Sequence, residues 1–291
     1  MASTWTNRSL LAWMTQDFTA LGLTTARLDA EVMLAHVLGV DRVHLYMDMD
    51  RPLAAAELAA LRALVVRRRQ REPVAYLTGQ REFYRRAFEV SPAVLIPRPD
   101  TECLVERALG VLAADAALRV LDLCTGSGAI AVSLAAERSS IRVDATDISA
   151  EALAVARRNA QRHGVADRVS FHEGNLFAAL SGQQGYDLIV ANPPYVRANE
   201  LPQLAPELRH EPSLALIAGA DGLDVLDRLC AEVPRWIAPS GVILFEVGAG
   251  QADTVADALR LQATLCNIRW HRDLGGIARV VEAQALPGTT S

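Results

Sequence analysis

The spacing of hydrophobic positions changes twice along the chain, and each change marks a structural boundary. From residue 1 to 72 the apolar residues recur three and four apart: Leu10, Met14 and Phe18, then Leu28, Val32, Ala35 and Leu38, then Leu58, Leu61 and Val65. Such spacing puts each set on one face of a helix, so a small helical bundle is predicted. Gly39 stands where a helix-ending glycine is expected, and Arg67, Arg68, Arg69 and Arg71 crowd the end of the third helix, as a solvated terminus suited to the helix dipole would. From 73 to 98 short runs follow instead, Tyr76-Leu77-Thr78, Phe83-Tyr84, Phe88-Glu89-Val90 and Val94-Leu95-Ile96, divided by Gly79 and Pro92. These predict a β-hairpin linking two domains.

From 99 to 291 strand-like and helix-like patterns alternate. Helices are expected at 101–113, 128–138, 150–163, 222–236 and 250–262, and strands at 119–124, 141–146, 168–173, 186–191 and 242–247. An antiparallel pair at 265–271 and 277–283 closes the chain, and a Pro-rich excursion covers 196–219. Alternation of this kind builds an α/β domain, a mostly parallel sheet with helices on both faces.

Composition narrows the class. With 291 residues, 51% hydrophobic and 22% charged, the chain can bury a substantial core. All 29 basic residues are arginine, which fits a genome-wide codon bias and carries no mechanism. A net charge of -5 argues against a protein built to coat nucleic acid and suits a protein substrate at least as well. Cys103, Cys124, Cys230 and Cys266 are scattered, so neither a disulfide framework nor a metal site is indicated, and a cytoplasmic location is expected. The apolar patch Leu10 to Met14 is too short for a signal peptide, and no run is long enough to span a membrane.

Two motifs carry candidate chemistry. The strand Val120-Leu121-Asp122-Leu123 runs into Cys124-Thr125-Gly126-Ser127-Gly128, a glycine turn where backbone can approach a ligand, and Asp147 ends the next strand, where a carboxylate can accept both hydroxyls of a ribose. This arrangement serves a nicotinamide dinucleotide and S-adenosyl-L-methionine equally. Phe171 to Phe177 closes a further strand with a polar turn that would border an adenine, and His172 within it has no carboxylate partner identifiable from sequence.

The second motif, Asn192-Pro193-Pro194-Tyr195, directly follows the apolar run Tyr186 to Ala191. Two prolines fix φ and remove two backbone donors, so the segment leaves its carbonyls available as acceptors. An amide oxygen on Asn192, the Pro193 carbonyl and a flat Tyr195 ring suit one task, gripping a planar NH2 group. That favours the methyl donor over hydride transfer, which needs a polar catalytic group beside nicotinamide.

These residues resemble the class I S-adenosylmethionine-dependent methyltransferases, and the whole chain resembles the peptide chain release factor glutamine methyltransferases, the HemK or PrmC family. Segments 72–79 and 95–102, Glu211-Pro212, Asp221-Gly222 and Gly276 to Val280 carry the resemblance beyond the tetrapeptide. It implies a Rossmann-like sheet behind a helical substrate-docking domain. It also implies methylation of the glutamine side-chain amide in the Gly-Gly-Gln motif of class I release factors. The donor would contact Cys124 to Gly128, Asp147, Leu176 and Asn192, and the glutamine would sit on Asn192 to Tyr195. Cys124 departs from the family's usual glycine, and cysteine there is common in a related family acting on a ribosomal-protein glutamine. The segment Ile96-Pro97-Arg98-Pro99-Asp100-Thr101-Glu102 favours the release-factor branch. The competing readings are a methyltransferase for an exocyclic base amine, which would need a flipped nucleotide and a basic channel, and a non-catalytic adaptor that senses the cofactor.

Overall fold

A computed structural model describes residues 5–113, 115–180, 182 and 185–288, which divide into two compact units. The first takes in the chain up to Gly79 together with Pro206–His210. It is helical: α1 (Asn7–Ala20), α2 (Ala26–Leu38), α3 (Arg42–Met47), α4 (Ala55–Arg69) and α5 (Val74–Thr78). A capping box starts α1, where Ser9 N donates to Thr6 Oγ1 and Thr6 N donates to Ser9 Oγ. Leu11, Met14, Phe18, Met33, Leu34 and Leu45 are fully buried in its core. The end of α4 departs from the expected solvated face, because the Arg68 side chain is only 5% exposed. Its guanidinium donates to Asp29 Oδ2 at 2.9 Å and to Glu207 Oε1 at 3.1 Å. A buried charge persists only where it is paired in this way. Residues 74–78 are also helical, so the hairpin begins later than the apolar clustering suggests.

In the second unit β1 (Gln80–Phe83) pairs antiparallel with β2 (Arg86–Glu89). The α/β part follows: α6 (Glu102–Val111), β3 (Arg119–Leu123), α7 (Ala129–Glu137), β4 (Arg142–Asp147), α8 (Ala150–Arg162), β5 (Val169–Glu173) and β6 (Tyr186–Ala191). After three 3-10 turns come α9 (Asp224–Glu232), β7 (Ile237–Glu246), α10 (Ala252–Arg260), β8 (Leu265–Arg272) and β9 (Ala278–Ala285). The seven-stranded sheet has the order β5-β4-β3-β6-β7-β9-β8. Strands β3 to β7 run parallel, and β9 lies antiparallel to both β7 and β8.

Alternation along the central strands assigns each face its core. Val120, Leu188, Val190 and Leu244 pack with α6 and α7, whereas Leu121, Leu123, Ile189, Ala191, Ile243 and Phe245 pack with α9 and α10. Burial on both faces explains why these strands read as continuous apolar runs. The strand order reverses at β3, which has β4 on one side and β6 on the other. Ligands bind at the carboxyl edge beside such a reversal. The chain leaves that edge at Cys124, Asp147, Asn192 and Glu246.

Candidate active site

A cavity of about 330 Å³ opens at this edge, and Cys124, Thr125, Gly126, Ser127, Asp147, Asn175, Leu176, Asn192 and Pro194 all line it. The glycine turn, the ribose-type carboxylate and the start of the proline loop therefore share one space. Arg98, Thr101, Pro212 and Leu214 complete much of the wall. Gly128, Pro193 and Tyr195 do not line it.

The turn is held from below by Asp122, which is fully buried and accepts from Thr125 Oγ1 at 2.7 Å and from Ala131 N at 3.1 Å. Burial pushes its carboxyl up to about 7. Gly126 has φ 55°, and a Cβ built on it would meet nothing within 4 Å, so its backbone faces open space. Gly128 has φ 79°, and its Cβ would lie 3.1 Å from the Ala156 side chain, which marks it as a packing glycine between α7 and α8. Cys124 (φ 59°) and Leu176 (φ 54°) adopt the left-handed conformation although neither is glycine. Strain of that kind gathers at ligand sites. Burial raises the Cys124 thiol pKa, so the thiol stays protonated and unreactive.

Asp147 has both carboxylate oxygens fixed. Oδ2 accepts from Gly126 N at 2.8 Å and Oδ1 from Ser149 N at 3.0 Å. Burial raises its pKa, while the backbone donors of Ser149, Gly126 and Ile148 pull it back. A carboxylate has about four acceptor positions, so acceptor capacity is left for a further donor such as a ribose hydroxyl. His172, beyond the cavity, has a partner that sequence did not reveal, with Nε2 2.9 Å from Asp144 Oδ1.

On the loop, Asn192 Nδ2 donates to Thr101 Oγ1 at 3.1 Å, and Asn192 Oδ1 and the Pro193 carbonyl accept no hydrogen bond among the described residues. Tyr195 sits behind the cavity: its hydroxyl donates to Glu246 Oε1 at 3.2 Å, and its carbonyl accepts from Gln251 Nε2 at 3.1 Å. Gln251 also donates to the Gly222 carbonyl at 3.2 Å and accepts from Gly248 N at 2.8 Å, so one buried amide joins three segments. Glu211 performs a similar task opposite, accepting from Ile96 N at 3.0 Å and pairing with Arg98.

Sequence reasoning missed Thr101, Glu246, Gln251 and Glu211 as supports for the loop and cavity wall. For Glu246 one signal was present, an acid ending the buried apolar run Val242 to Phe245 at the carboxyl edge.

Nucleoside-binding machinery on this strand order places the chain among the class I methyltransferases, whose donor is S-adenosylmethionine. The open space at Gly126 and the acceptor oxygens of Asp147 fit that group, which Cys124 to Ser127 and Leu176 would also border. The PrmC N-terminal domain family matches residues 9–79, and the methyltransferase small domain family matches residues 101–216. The release factor glutamine methyltransferase of Geobacter sulfurreducens is 45% identical over 95% of this chain and 96% of its own. That of Bordetella pertussis is 48% identical over 87% of this chain and 93% of its own. The chain belongs to the release factor glutamine methyltransferase family. A solved methyltransferase from Pyrococcus furiosus, 15% identical, superposes with a TM-score of 0.50 over 68% of this chain and 87% of that one, a likeness of fold alone.

Proposed function

We propose that this chain transfers a methyl group from S-adenosylmethionine to the side-chain amide nitrogen of the glutamine in the Gly-Gly-Gln motif of class I peptide chain release factors. The observation that carries the reading is the shared cavity, in which Asn192 and Pro194 stand beside Cys124 to Ser127 and Asp147. When bound, the donor supplies an electrophilic methyl carbon on a sulfonium. The chain's own task is to make a poor nucleophile react.

An amide nitrogen has its lone pair delocalised into the carbonyl. With Asn192 Nδ2 committed to Thr101, Oδ1 is left to accept one N–H of the substrate amide, and the Pro193 carbonyl is left to accept the other. Two fixed acceptors aim the lone pair out of the amide plane and stabilise positive charge as it develops on nitrogen. Both protons are held by neutral oxygens, so nitrogen need not be deprotonated before transfer; the N–C bond would form as the S–C bond breaks, leaving the donor as a neutral thioether, and the methylated nitrogen would then lose one proton to solvent. Prolines 193 and 194 keep the acceptors from relaxing. Tyr195 braces the loop from behind, through its hydroxyl on Glu246 and its carbonyl on Gln251.

The helical unit serves as the docking domain in this reading, which is supported by Val43, Tyr46 and Met47, large apolar residues left exposed on α3. Acting on translation factors, the enzyme works in the cytoplasm. Incubating the enzyme with labelled S-adenosylmethionine and a purified release factor, followed by tandem mass spectrometry of the digest, tests the assignment. One added methyl on the Gly-Gly-Gln glutamine is expected. Label on a ribosomal protein or on nucleic acid, with none on the release factor, would overturn it.

A further inference from the structure

Resting on S-adenosylmethionine as the donor, whichever amide receives the methyl, we infer that Arg98 is a donor-binding residue: its guanidinium takes the carboxylate at the amino-acid end of that molecule. A carboxylate leaving water needs a cation or several hydrogen-bond donors in place of its hydration. Among the described residues two cations line the cavity, Arg98 and Arg228, with Asp147 the one acid.

Position separates the two arginines. Arg228 belongs to the β5 end, where its Nη1 donates to Asn175 Oδ1 at 3.1 Å and its Nη2 lies 3.8 Å from Glu232 Oε1. Arg98 belongs to the β6 end. Its carbonyl accepts from Thr101 N at 3.1 Å, and the Thr101 hydroxyl accepts from Asn192 Nδ2. Three strand spacings, about 14 Å, separate β5 from β6 along the sheet. A donor with its ribose on Asp147 at the end of β4 and its methyl at Asn192 at the end of β6 has its base on the β5 side. The aminocarboxypropyl chain starts at the sulfur, so its carboxylate falls at the Asn192 end, beside Arg98 and away from Arg228.

Arg98 also has donors to spare. Its Nη2 donates to Glu211, whose side chain is 2% exposed and which also accepts from Ile96 N at 3.0 Å. Nε and Nη1 make no hydrogen bond among the described residues, and 35% of the side chain stays open. A guanidinium carries five N–H donors in one plane, enough for two carboxylates at once. Glu211 therefore fixes that plane before the donor arrives, and less side-chain freedom is lost on binding.

Calorimetry on the full-length chain tests this with three probes: S-adenosylhomocysteine, its decarboxylated analogue, which keeps the amine, and methylthioadenosine, which lacks the amino-acid end. Wild type should prefer S-adenosylhomocysteine to the decarboxylated analogue by about 10-fold or more, as loss of a hydrogen bond to a charged group predicts. The variants are Glu211→Gln, which keeps an acceptor for Ile96 N, and Arg98→Gln added to it, so that no buried carboxylate loses its cation. Arg228→Gln is the comparison. Glu211→Gln and Arg228→Gln should each retain the preference. Adding Arg98→Gln should cut it to about twofold or less, with methylthioadenosine affinity held within about twofold. Absence of the preference in wild type, its survival in the Arg98→Gln variant, or its loss with Arg228→Gln would overturn the assignment. Equal losses for all three probes, the mark of a deformed wall, would do the same. Wild type that binds none of the probes would instead overturn the donor reading beneath it.

Discussion

Gly126 and Gly128 share one turn and one backbone handedness, yet their missing side chains serve different ends. A Cβ on Gly126 would enter open cavity space, and one on Gly128 would press on Ala156 at 3.1 Å. Both alanine variants carry the left-handed backbone penalty of about 1–2 kcal/mol. Gly126→Ala should in addition weaken S-adenosylhomocysteine binding with only that modest loss of Tm, whereas Gly128→Ala should lose more stability than Gly126→Ala because α7 and α8 must part. Calorimetry and thermal melts on the pair check this, and equal effects on both quantities would contradict it. The glycines, Asp147 and Asn192 were legible because each sits in a local motif with its own chemistry. Thr101 and Glu246 were not. Thr101 meets Asn192 across 91 positions of sequence, and no local pattern announces a contact made by folding. Tyr195 was legible as a member of the tetrapeptide but not in its setting, since only the fold brings Glu246 and Gln251 against it.

At the scale of elements, strands buried on both faces were the easiest to read. The run from Tyr186 to Ala191 ends where β6 ends, because Pro193 and Pro194 cannot continue a ladder. The alternation of strands and helices after residue 99 gave the parallel sheet for the same reason: short runs of Val, Ile and Leu separated by longer amphipathic stretches admit few other architectures. Short elements escaped. The helix α3 has six residues and α5 has five, less than two turns each, too little for a 3.6-residue period to show. Strand β7 begins at Ile237 rather than 242, across Pro239 and Gly241, residues that discourage a strand; its pairing with β6 shifts register there. Arg68 was read as solvated because its neighbours are charged, but Asp29 and Glu207, which allow its burial, lie far away in sequence.

For the whole molecule, buried acids make stability depend on pH. Asp122 is raised from 3.8 to about 7 and Glu246 from 4.5 to about 7, both chiefly by burial. A raised folded pKa contributes stability that is complete below the unfolded value and is lost as pH climbs through the folded one. Glu282 runs the other way: held by Arg107, Arg269 and His271, it is lowered from 4.5 to about 2 despite burial, and its contribution is lost only as pH falls through that range. Asp122 and Glu246 therefore make Tm decline as pH rises from about 4 to about 7, while Glu282 acts only below that window and in the opposite sense. Asp122→Asn, which keeps an acceptor for Thr125 and Ala131, should flatten that decline in thermal melts, and an unchanged slope would contradict the assignment. The central claim, that a fixed pair of oxygens makes a reluctant amide nitrogen react, is tested most directly by single-turnover methyl transfer to a release factor with Asn192→Ala, alongside product affinity. Transfer slowed by about 100-fold or more with the affinity essentially kept is the predicted result, in line with loss of one preorganised dipole. A variant that transfers methyl at the wild-type rate would contradict it.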